Sequence, residues 1–163
     1  MKGNYVDTGT IVAVDPSNRK LVRVQLFDRV TNWLPYQGIA NKFFKLWIPP
    51  RVGEQVTVLI PFGEADGGIV SGSIFNKGCK EPDGANDHTF IMEFEDGARI
   101  VYDTESHNLS LSTIGAINIA AAQGVHIDAD LHVSKTITDE KGSVTDHRHK
   151  DVAPGSSLTG FRP

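Results

Sequence analysis

Residues 9–26 read GTIVAVDPSNRKLVRVQL. Two short β-branched runs, residues 9–14 and 21–26, flank Asp15-Pro16-Ser17-Asn18, whose polar side chains and fixed proline φ favour a turn. The spacing predicts a β-hairpin. Residues 55–60 (QVTVLI) and 68–75 (GIVSGSIF) repeat the pattern around Pro61 and the glycines near Asp66. Between them lie Trp33, Tyr36, Phe43, Phe44 and Trp47, aromatic surface expected to plug a small barrel. Short strands with turn signals and almost no 3.6-residue periodicity over residues 8–75 predict a small all-β barrel.

Residues 76–88 (NKGCKEPDGANDH) lose hydrophobicity and gain Pro, Gly, Asp and Asn, the composition of a linker. Beyond them the texture changes. Leu109, Leu111, Ile117, Ile119, Val125, Ile127, Leu131, Val133 and Ile137 all carry odd numbers, with Asn108, Ser110, Asn118, Asp128, Asp130 and His132 between them; Ile114 is the exception. Successive side chains on a strand point to opposite faces, so the pattern keeps one face apolar over nearly thirty residues. Glycines at 97, 115, 124 and 142 suggest strands turning at regular intervals.

One narrow zigzag cannot close a core on that face. Burying a large aliphatic side chain contributes roughly 1.5–3 kcal/mol, while ordering each residue costs about 1–2 kcal/mol of backbone entropy. Three copies turning those faces to a common axis would make one interior of them, with strand edges pairing between neighbours. An ordinary antiparallel sheet over residues 89–137, covered by the N-terminal domain, is the alternative that the pattern leaves open.

The chain has 163 residues, a net charge of −4 and a pI near 5.8, which exclude a global basic field for nucleic acid or anionic membranes. Cys79, alone, cannot form an intrachain disulfide, and a free thiol suits a bacterial cytoplasm. Residues 1–15 lack the basic and apolar runs of a secretory signal, and no segment approaches ~18 consecutive apolar residues.

The segment 9–26, Trp33-Leu34-Pro35, and PPRVGEQVTVLIPFGEADGGIVSGSIFN over residues 49–76 together resemble, in content and order, the central spike, or baseplate assembly protein V, of contractile-tailed phages. The resemblance covers most of residues 5–76 and extends to the tips of related secretion machines. It implies an all-β chain: an N-terminal oligonucleotide/oligosaccharide-binding (OB) barrel serving as collar over residues 1–78, a linker over 79–88, an intertwined trimeric β-helix over 89–145 and a metal-bound C-terminal apex over 146–163. It implies a homotrimer docked through its N-terminal domain to the baseplate hub or tail tube. The target it implies is the bacterial outer membrane, pierced mechanically during infection by a virion component at the baseplate tip that is synthesised in the host cytoplasm. Neither catalysis nor nucleic acid enters that role.

His147 and His149 stand two residues apart, so in an extended segment both imidazoles project to one side. Three chains would supply six nitrogens, a closed octahedral cage of structural character. The resemblance implies iron, one ion per trimer; intrinsic affinity along the divalent series would equally admit nickel, copper or zinc. His88, His107, His126 and His132 lack a partner at i+2 and are expected to be solvated. Lys150 and Asp151 stand where family members tend to carry small residues, while residues 155–163 resemble the family's terminal wrap.

Two other function classes compete. A metal hydrolase needs an open coordination site and a general base, and the chain has neither His-Glu-x-x-His nor Gly-x-Ser-x-Gly. An OB-fold nucleic-acid or glycan binding module would draw on Trp33, Tyr36, Lys42, Phe43, Phe44, Lys45 and Trp47, since aromatics beside basic residues stack bases.

Overall fold

The fold is taken from a computed structural model that describes residues 5–144. Its regular structure is β, with two short 3-10 turns at Pro61–Gly63 and Ala65–Gly67. The strands are β1 (Val6–Val14), β2 (Leu21–Gln25), β3 (Leu34–Pro35), β4 (Ile39–Ala40), β5 (Lys45–Leu46), β6 (Gln55–Leu59), β7 (Ile69–Ser73), β8 (Thr89–Glu93), β9 (Arg99–Asp103), β10 (Asn108–Ser112), β11 (Thr138–Asp139) and β12 (Gly142–Ser143). The chain divides into two units between Ala116 and Ile117.

The predicted first hairpin is present, and its turn is held by one carboxylate. Asp15 Oδ1 accepts from Ser17 Oγ at 2.7 Å, Ser17 N at 2.8 Å and Asn18 N at 3.1 Å, and these bonds hold the Asp15 carboxyl below its ordinary value, the Ser17 hydroxyl most of all. β1 is long enough to pair with both β2 and β6, which sets the sheet order β3-β2-β1-β6-β7. Two irregularities bend it. Val12 is an extra residue between the pairs Ile11↔Val24 and Ala13↔Arg23, and Ser71 one between Thr57↔Gly72 and Val58↔Val70. The sheet curls until its edge strands meet, where Tyr36 bridges Val70 in parallel and the Gln37 N–H donates to the Val70 carbonyl at 2.8 Å.

The concave face encloses Ile11, Val22, Val24, Leu26, Leu34, Val56, Val58, Ile60, Ala65 and Val70, with Val14 and Tyr36 packed against them. Buried positions alternate along β2 and β6, as expected for strands with one face inward. The aromatic plug expected from the sequence is not there. Phe43 is 99% exposed and Phe44, Trp47 and Trp33 are also exposed, so the core is aliphatic. The reason is steric: β-branched side chains from the curled strands already fill the narrow interior, and Phe43 and Phe44 lie instead on the link between β4 and β5, outside the main sheet.

A separate antiparallel meander, β8-β9-β10, completes the first unit, with Ile91 opposite Val101 and Leu109 opposite Tyr102. In the turn between β8 and β9 the Phe94 N–H donates to Ala98 O at 2.9 Å. Arg51, ahead of β6, reaches that turn, its Nη2 lying 3.0 and 3.2 Å from the two Glu95 carboxylate oxygens. Both groups are exposed, so the pair contributes at most about 1 kcal/mol.

In the second unit, residues 117–137 join no ladder, and the chain ends its described part in the small hairpin β11-β12.

Candidate assembly surfaces

The odd-numbered apolar series lies exposed at the surface. Leu109 and Leu111, on β10, are 66% and 55% exposed. In the second unit Ile117, Ile119, Val125, Ile127, Leu131, Val133 and Ile137 are all exposed, Ile119 to 73%. Soluble chains rarely leave so many large aliphatic groups in water without an interaction that covers them. Residues 113–136 join no strand ladder among the described residues, which leaves their strand edges open to another chain. Of the two arrangements that the pattern left open, a single antiparallel sheet over 89–137 does not form: pairing stops at Ser112. Gly97, Gly124 and Gly142 take positive φ of 87°, 108° and 125° where the chain turns, a backbone region that side chains resist.

On the barrel, the residues that would make a base-stacking platform are split up. The Arg23 guanidinium lies 5.3 Å from the Trp33 ring centroid. Tyr36 is half-buried against the core, and with Trp47 it lines a groove of about 310 Å³ beside β7. Phe43 and Phe44 sit at the tip of the β4-β5 hairpin, where Asn41 Oδ1 accepts from both of their N–H groups at 2.8 Å.

His147 and His149 lie outside the described residues. His126 and His132 are exposed, His88 lies 3.3 Å from Asp87, and His107 takes a positive φ of 55° between β9 and β10. Among the described residues, no three His, Cys, Asp or Glu side chains are grouped as metal ligands, and no helix is long and apolar enough to cross a membrane.

A curled five-stranded sheet with β1 shared between two neighbours and a parallel contact at its closure is the arrangement of an OB barrel. Residues 7–75 match the model of the type VI secretion system/phage-baseplate injector OB domain. The barrel is similar to that injector domain over those residues. The injector OB domain thus accounts for β1 to β7, and the family resemblance carried by residues 9–26 and 49–76 is borne out. The chain is also 34% identical over 122 residues to the spike protein of Escherichia phage P2, an alignment covering 75% of this chain and 57% of that protein. It therefore spans less than two thirds of that relative's length.

The cleft beside the β8-β9 turn was not singled out in the sequence, whereas the residues of the β4-β5 hairpin tip were, as part of a stacking surface. The signal available was the run Lys42-Phe43-Phe44-Lys45, two aromatics between two cations after a turn-forming asparagine.

Proposed function

We propose that the chain is a structural spike of a contractile phage tail, assembled as a homotrimer and driven through the bacterial outer membrane when the sheath contracts. The observation that carries this reading is the exposed apolar series from Leu109 to Ile137, of which residues 113–136 join no strand ladder among the described residues. Three such segments wound together would bury those side chains and pair those edges, giving an intertwined β-helix. Interwoven strands resist sliding because any displacement breaks many hydrogen bonds at once. That is the property a piercing rod needs. The injector OB domain serves as the collar and docks to the baseplate hub or tail tube, so the spike is a virion component at the baseplate tip, made in the host cytoplasm.

The C-terminal segment closes the rod. His147 and His149 of three chains would hold one iron ion with six imidazole nitrogens, a donor set that leaves no open position and so suits a structural clamp on the strand ends. The action is mechanical, and no step calls for a catalytic residue. Immunogold labelling of tails assembled with this chain, using an antibody against residues 150–163, tests the placement. Label at the distal end of the baseplate supports the spike; label along the tube, or none on the particle, contradicts it.

A further inference from the structure

The first unit carries a basic aromatic knob and an acidic apolar hole, built around different turns, β4-β5 and β8-β9. The knob is the β4-β5 hairpin tip. Phe43 is almost wholly exposed between Lys42 and Lys45, and Asn41 fixes the tip by accepting from the Phe43 and Phe44 N–H groups while its own N–H donates to the Phe44 carbonyl at 2.8 Å. A tip so fixed loses little conformational freedom when it binds. The hole is a cleft of about 990 Å³ beside the β8-β9 turn, with Ile48 and Phe94 as apolar lining and Glu54, Glu93, Glu95 and Asp96 as carboxylates. Arg51 pairs with Glu95 and Arg99 lies 3.2 Å from Glu93, so that among the described residues Glu54 and Asp96 have no cation. Its volume is at the upper end of the roughly 300–1,000 Å³ typical of ligand pockets, room for both phenyl rings.

We infer that the hairpin tip of one copy enters the acidic cleft of the next copy. The rings would cover Ile48 and Phe94, and Lys42 and Lys45 would face the carboxylates that lack a cation. A knob and a hole at separate places on one chain make a head-to-tail contact, which closes into a ring when the rotation between copies allows it. The inference rests on the homotrimer proposed above and deepens it: the collar becomes a ring of three such contacts, independent of the β-helix.

Cys79 lines the same cleft and is exposed, which supplies a direct test. In Phe43→Cys, gentle oxidation should link the new thiol of one full-length chain to Cys79 of the next. Non-reducing gels should then show covalent dimers and trimers, and Phe43→Cys/Cys79→Ser should run as monomer. Lys42→Cys, one residue earlier, repeats the measurement with a different reach. Covalent trimers from either variant support the contact. A native mass of three chains with no Cys79-dependent cross-link in either variant overturns the contact and leaves the homotrimer standing. A native mass of one chain overturns both.

Discussion

Thr31 and Val24 hold each other through two hydrogen bonds. The Thr31 N–H donates to the Val24 carbonyl at 2.9 Å, and the Val24 N–H donates to Thr31 Oγ1 at 3.0 Å. Thr31 Oγ1 then donates to the Asn32 carbonyl at 2.8 Å. Thr31 is the one buried polar residue within the described part of the chain, set against a core that is otherwise aliphatic. The hydroxyl therefore does what a neighbouring strand would do for β2, which has passed beyond its pairing with β3 at this point.

Thr31→Val keeps the volume and removes that hydroxyl. The buried Val24 N–H loses its acceptor, and the barrel should lose about 1–3 kcal/mol of stability in a denaturant titration. Thr31→Ser keeps the acceptor and should cost less, about 1 kcal/mol for the lost methyl group. Equal stability of Thr31→Val and the natural chain would mean that water reaches the Val24 N–H.

At Gly9, β1 leaves no room for a side chain against β2. A Cβ there would stand 2.5 Å from both the Gln25 carbonyl oxygen and Val24 Cγ1, and 3.0 Å from Leu26 Cδ2. Gly9→Ala should cost about 1–3 kcal/mol, because strand backbone must shift and not merely a side-chain tip. A thermal melt of the variant unchanged from that of the natural chain would mean that the two strands are less closely packed.

The barrel was largely legible in the sequence because β-branched runs and turn residues act locally. Residues 9–14, 21–26, 55–60 and 68–75 each locate a strand of the sheet, with boundaries shifted by a residue or a few. The interior was not legible. Hydrophobicity alone ranks Phe43 with Val58, and only the topology shows that one lies on a side hairpin while the other faces the concave sheet. The second half shows the complementary limit. Period-2 alternation marks residues 109–137 as an apolar series whose side chains are exposed, and alternation says nothing of which chain supplies a partner strand.

Ile127, 56% exposed, stands within the apolar series. Ile127→Asp should prevent assembly, since three carboxylates would meet near the axis without partners. Sedimentation should show monomers, against the trimers expected of the natural chain. A stable trimer carrying this change would mean that the odd-numbered face is not the interior.

His147→Ala/His149→Ala should abolish bound metal while leaving the trimer, because the apolar series buries far more surface than two imidazoles per chain. Elemental analysis and sedimentation on the same sample check both parts. Dissociation into monomers would reverse that order, making the metal and not the aliphatic face the main bond between chains.

The central claim is that the exposed face of residues 109–137 is an interior shared by three chains, and the native mass of the purified full chain tests it most directly. Light scattering should give three times the 17.7 kDa of one chain, unchanged on dilution. A particle of 17.7 kDa would contradict it.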